Sequence, residues 1–127
     1  MFEQDYIMRL IKEMIRMALK LLFHIDTDSP TAELLEEKAE KGTLDRLLDL
    51  VDSGSINQAE NELYELLEQR DMTNLEIALL FYSYLNDKED DFLEKHDFSR
   101  EEIRMGLKEV ISRYGFDGIA ETFLTEV

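Results

Sequence analysis

Apolar residues recur along this chain at helical spacing, and capping residues or glycines mark the breaks between runs. From Glu3 to His24, Tyr6, Ile7, Leu10, Ile11, Met14, Ile15, Met17, Ala18, Leu21 and Leu22 fill one broad face at about 100° per residue. Met8 and Leu19 widen that arc to roughly 220°. Arg9, Lys12, Glu13, Arg16 and Lys20 share the narrow polar strip that remains. So wide an arc exceeds what one packing interface covers, which predicts contact from two sides or more.

The run Asp26-Thr27-Asp28-Ser29-Pro30 ends this helix. Ser29 suits an N-cap and Pro30 the first position of a short helix to about Lys41, with Gly42 as a left-handed stop. Thr43 then opens a helix that buries Leu44, Leu47, Leu48, Leu50 and Val51 and closes at Gly54. Three capping boxes follow: Ser55 with Gln58, Thr73 with Glu76, and Ser99 with Glu102. They predict helices over 56–70, 74–86 and 100–114. The first buries Ile56, Ala59, Leu63, Leu66 and Leu67, and the third Ile103, Leu107, Val110 and Ile111. The middle one, from Leu75 through Leu85, is apolar nearly all round and reads as the core helix. Lys88 to His96 reads as a short acidic helix with Phe92 and Leu93 inward. Gly115 stops the 100–114 helix, and Asp117 caps a last turn carrying Ile119, Phe123 and Leu124. No stretch alternates at period two, so the expected class is all-α.

At 127 residues with 44% hydrophobic content, the chain suits one globular domain, 1–127. It divides into an apolar N-terminal helix (1–25) and an acidic helical body (30–127). The absence of cysteine excludes a disulfide framework, a thiolate zinc site and a cysteine nucleophile, and suits a cytoplasmic setting. Charges recurring through the first helix exclude a signal peptide or a spanning segment there.

Charge sharpens the picture. Thirty acids against fourteen bases give a net −16, which opposes contact with a phosphate backbone or an anionic membrane. The excess is uneven. Residues 1–25 set Arg9, Lys12, Arg16 and Lys20 against Glu3, Asp5 and Glu13, a local +1 that leaves −17 for the rest.

The segment Gly54-Ser55-Ile56-Asn57-Gln58-Ala59-Glu60-Asn61-Glu62-Leu63 resembles the middle of a tetratricopeptide repeat. There a glycine makes the interhelical turn and a small alanine lets the second helix pack closely. The likeness covers residues 43–71. Leu47, Leu66 and Asp71 depart from that family's pattern, and Lys88, thirty-four positions after Gly54, begins no second repeat in register. The whole chain, from its Asp-Tyr-Ile-Met-Arg-Leu-Ile opening at 5–11, also resembles a family of short uncharacterised bacterial proteins. That resemblance implies a helical, tetratricopeptide-like structure, and the expected fold is antiparallel helical hairpins in a tetratricopeptide-like stack with a long N-terminal helix. It implies no activity.

Candidate chemistry is sparse. His24 and His96 each stand near a helix end, outside any metal-binding or catalytic arrangement, and read as structural or solvated groups. Ser55 lacks a nucleophile elbow and is accounted for as a cap. Asp26 and Asp28 begin like a calcium loop, but Pro30 and Thr31 stand where a ligand and a glycine are needed. Asp87, Asp91 and Glu94 share a helical face that reads as solvated rather than metal-binding. The expectation is therefore no enzyme and no cofactor. The leading function is a protein–protein interaction module offering an acidic helical surface to a basic or amphipathic partner. The alternatives are a structural homodimer formed through the N-terminal helix, or peripheral membrane attachment by that helix. The candidate interaction surface comprises Tyr6, Leu10, Met14, Met17 and Leu21 on the first helix, with Tyr64, Tyr82 and Tyr84 lining a groove.

Overall fold

The computed structural model describes residues 2–25 and 41–116. These form α1 (Phe2–Phe23), α2 (Lys41–Asp52), α3 (Ile56–Leu66), α4 (Met72–Asn86), α5 (Asp90–Lys95) and α6 (Arg100–Arg113). Among the described residues there is no strand. The helix expected over 30–41 and the turn after Asp117 lie outside the described residues.

Packing radiates from α4. Its residues Leu75 and Ile77–Ser83 are buried all round the axis, and it touches α1, α2 and α6. A helix buried on every side needs neighbours on every side. The α2–α3 hairpin covers one flank, and α1, far away in sequence, covers another while also packing on α6. The first helix therefore packs against two helices, α4 and α6. Ile11, Met14, Ile15, Ala18 and Leu19 are its buried residues.

The hairpin turn has the geometry its glycine suggests. Gly54 sits at φ 90°, and a Cβ there would run into the His96 imidazole, so both backbone and space demand glycine. Ala59 is fully buried. Arg46 on α2 straps α3 by two bonds to the Glu62 carboxylate, at 2.9 and 3.1 Å.

Several helix starts differ in detail from the sequence reading. Gly42 stops nothing; it lies in the first turn of α2 with ordinary negative φ. Asp71, not Thr73, caps α4 by accepting from the Asn74 N–H at 2.9 Å. The Asn74 side chain reaches back to the Leu66 and Gln69 carbonyls, closing the turn two residues early. Ser55 precedes α3 but makes no side-chain cap, and α3 ends at Leu66 rather than 70. Leu50, Leu66, Tyr84 and Phe92 are half-buried rather than buried. The Ser99–Glu102 box forms in full, with both reciprocal bonds at 3.1 Å.

No helix among the described residues is long and apolar enough to cross a membrane.

Candidate interaction surfaces

The strongest polar feature joins the C-terminal end of α4 to the first turn of α6. Arg100 is 2% exposed. Its Nη1 donates to the Asn86 carbonyl at 2.7 Å and to Asn86 Oδ1 at 3.1 Å. Its Nη2 donates to the Lys88 carbonyl at 2.7 Å and to Asp90 Oδ1 at 2.9 Å. The last carbonyls of a helix have no partner within it, and a guanidinium fork supplies several donors at once. Asn86 Nδ2 then donates to the Met8 carbonyl at 3.0 Å, so one network ties α1, α4, α5 and α6.

Beside this network lies a cleft between α5 and the start of α6. Asp90, Asp91, Glu94, Asp97 and Glu102 surround it, with the buried Leu93 and Phe98 in its lining. Asp97 is held at φ 58°, in the left-handed position that ends α5. Among the described residues no three His, Asp or Glu side chains converge to hold a metal ion. Asp87 closes α4 while Asp91 and Glu94 belong to α5, so the three do not share a helix.

A second polar cluster pins α2 to the α4–α5 turn. Lys88 Nζ stands 2.7 Å from Asp52 Oδ1, and the Tyr84 hydroxyl donates to the same carboxylate at 2.8 Å. The ammonium also lies 4.7 Å from the Tyr84 ring centre and 4.9 Å from that of Phe92, within cation–π range. Burial alone would raise the Asp52 carboxyl, but Lys88 and Tyr84 together hold it below its ordinary value. His96 packs against Phe92 with ring centres 4.6 Å apart and planes tilted by 58°, and it abuts Gly54.

The third cluster lies where α3, α4 and α6 meet. The Tyr82 hydroxyl donates to Glu60 Oε2 at 2.7 Å and stands 3.4 Å from the Tyr64 hydroxyl. Burial, with Glu60 beside it, pushes Tyr82 far above its ordinary range, so it stays protonated. Burial also raises the Glu60 carboxyl; the Tyr82 bond opposes this and nearby Glu102 adds to it. Gly106 makes the arrangement possible, because a Cβ there would collide with the Tyr82 hydroxyl. The Arg113 guanidinium covers the Tyr64 ring at 4.8 Å.

The eight candidate surface residues therefore separate. Tyr6 and Leu21 are exposed, at 52% and 56%, and Leu10 and Met17 are half-buried. Met14 has no exposed surface; it faces the core beside Ile11 and Ile15. Tyr82 is likewise fully buried, Tyr64 meets it at the hydroxyl, and Tyr84 is engaged elsewhere with Asp52. The three tyrosines do not line a common groove. Arg100, Glu60, Lys88 and Asp52 escaped the sequence reading because their partners lie 10 to 36 positions away. Only Gly106, a lone glycine inside a helical pattern, offered a local signal.

Fold and surfaces define a small all-helical domain with a buried arginine hub, an acidic cleft and an apolar stripe along its first helix. The chain belongs to DUF6483, a family of unknown function, whose pattern matches residues 1–115. No curated protein and no solved structure matches it.

Proposed function

We propose that the protein is a non-catalytic, cytoplasmic interaction module that presents an acidic helical surface to a basic or amphipathic protein segment. The observation that supports this best is the cleft between α5 and α6, where Asp91, Glu94, Asp97 and Glu102, with Asp90 already paired to Arg100, share the lining with Ser99, Leu93 and Phe98. A lysine- or arginine-bearing helix suits such a site, because its cations meet the carboxylates on the rim. The net charge of −16 steers cationic partners toward it and nucleic acid away. A tetratricopeptide-like plan for the α2–α3 hairpin, supported by the Gly54 turn and the buried Ala59, agrees with a peptide-binding role.

Titration calorimetry with a cationic amphipathic helical peptide tests the reading. Binding should weaken as salt rises and drop at least about tenfold on reversing Asp91 and Glu94 together to lysine. Both side chains are exposed, so the variant keeps its fold. Binding that ignores the double reversal, or no binding at low salt, rejects the proposal.

A further inference from the structure

We propose that the partly exposed apolar stripe of α1 is a self-association surface, on which a second copy of this chain lays its own α1 antiparallel across a two-fold axis. This is independent of the acidic cleft. The stripe consists of Tyr6, Leu10, Met17 and Leu21, which fall within about 60° of one another at the helical repeat. Ile15 and Leu19 point the opposite way, into the core. The two outer members, Tyr6 and Leu21, are 52% and 56% exposed, and the inner two, Leu10 and Met17, are half-buried.

The order of these residues is what singles out a second copy. Tyr6 and Leu21 are equidistant from the midpoint between Glu13 and Met14, and so are Leu10 and Met17. Reversing the helix therefore superimposes the stripe on itself. In a two-fold interface residue i meets j while j meets i. Here Tyr6 would meet the partner's Leu21 and Leu10 the partner's Met17.

Charge selects the same face. Two copies approaching through the body bring −17 against −17, whereas the first 25 residues carry +1. Glu13, exposed and 3.6 Å from Arg16, stands next to the midpoint, so each copy brings an acid and a base to the crossing. Because the acidic bodies flank the contact, screening them should strengthen the dimer as salt rises. Cationic-peptide binding at the cleft has the opposite salt dependence.

The chain has no cysteine, which makes introduced thiols clean reporters. Glu13→Cys lies at the axis and should form a disulfide-linked dimer about tenfold faster than Met105→Cys, an exposed control on α6. Tyr6→Cys alone should not cross-link, whereas Tyr6→Cys combined with Leu21→Cys should. Sedimentation equilibrium should show a dimer that tightens with sodium chloride and weakens at least about tenfold in Leu21→Glu. The helical circular dichroism of that variant should be unchanged, since Leu21 faces outward. Cross-linking by Tyr6→Cys alone would mean a parallel pair and overturn the proposal. So would a wild-type monomer at hundreds of micromolar. Glu13→Cys closed to thiol reagents in a monomer would show that the chain's own segments cover the stripe, again overturning it.

Discussion

Arg100 and Asn86 clasp each other across the seam between α6 and α4: the guanidinium donates to both the backbone and the side-chain oxygen of Asn86, at 2.7 and 3.1 Å. Asn86 Nδ2 donates in turn to the Met8 carbonyl, so the pair also anchors α1. A buried cation is costly unless surrounded by acceptors, and here two backbone carbonyls, Asn86 at the helix end and Lys88 just past it, are joined by the side-chain oxygens of Asn86 and Asp90.

Removing that guanidinium should leave the Asn86 and Lys88 carbonyls without their donor. Arg100→Leu is expected to cost about 2–4 kcal/mol, read as a lower urea midpoint at unchanged slope. Asp90→Asn should cost less than about 1 kcal/mol, because Asp90 is half-exposed and an amide oxygen still accepts. Equal losses in the two variants would show that the ion pair, rather than the carbonyl contacts, carries the interaction.

Gly106 and Tyr82 make a second testable pair. Glycine to alanine inside a helix ordinarily gains about 1 kcal/mol. At 106 the new methyl meets the Tyr82 hydroxyl, so Gly106→Ala should instead cost about 1–3 kcal/mol by overpacking. Tyr82→Phe removes the nearer colliding atom, the hydroxyl oxygen, and leaves the ring carbon behind it. In that background the alanine penalty should shrink by at least about 0.5 kcal/mol in a double-mutant cycle. Strict additivity would show that the hydroxyl oxygen does not carry the strain.

The fold was legible where signals are local and the rest hidden where they are not. Ser99 and Glu102 sit three residues apart and form the capping box their spacing predicts. The all-round apolar run from Leu75 to Leu85 became the central helix for the same reason: periodicity is a property of neighbours. Thr73 with Glu76 matched the same motif yet lost to Asp71, which has Asn74 to close its turn onto the preceding segment. Sequence spacing ranks neither of two overlapping caps. Arg100 was invisible because arginine is ordinarily a surface residue, and its burial depends on oxygens brought in by another helix. The surface reading was mixed on similar grounds. Periodicity placed Tyr6 and Leu21 on the apolar arc of α1, but which part of a 220° arc (roughly, on a helical projection) stays uncovered depends on α4 and α6.

Helix ends supply a contrast of opposite sign. Three helices finish alike, with bonds from Ser55 to the Leu50 carbonyl, Phe98 to Leu93 and Phe116 to Ile111. Glycine takes the left-handed position at 54 and 115, but Asp97 takes it after α5, at φ 58°. Asp97→Gly should therefore stabilise by about 0.5–1 kcal/mol, the relief of left-handed strain less the added freedom of the unfolded chain. Gly54→Ala should destabilise by more than about 1 kcal/mol, since alanine would meet both the strain and the His96 ring. Thermal midpoints of the two variants should move in opposite directions. A gain from Gly54→Ala would show that the hairpin turn can rearrange.

Glu60 sets the pH dependence of the α3–α4–α6 junction. Burial raises its carboxyl above the ordinary 4.5, Tyr82 opposes the rise, and Glu102 reinforces it. A group whose folded value is raised contributes stability that is fully present below its unfolded value and lost as pH climbs through the folded one. Wild-type protein at neutral pH thus bears a penalty that a neutral amide would not. Glu60→Gln keeps an oxygen to accept from Tyr82 and should melt higher than wild type at pH 7–8. The advantage should close as pH falls toward 4.5. Asp52 runs the other way. Burial would raise it, but Lys88 and Tyr84 hold it low, so its contribution is present above 3.8 and lost as pH falls through its lowered value. Asp52→Asn should melt lower than wild type at neutral pH, and that deficit should narrow only in acid. Melting curves of the three proteins between pH 3 and 8 would separate the two carboxylates. A Glu60→Gln variant less stable than wild type at every pH would show that the ionised carboxylate strengthens the Tyr82 bond by more than burial costs.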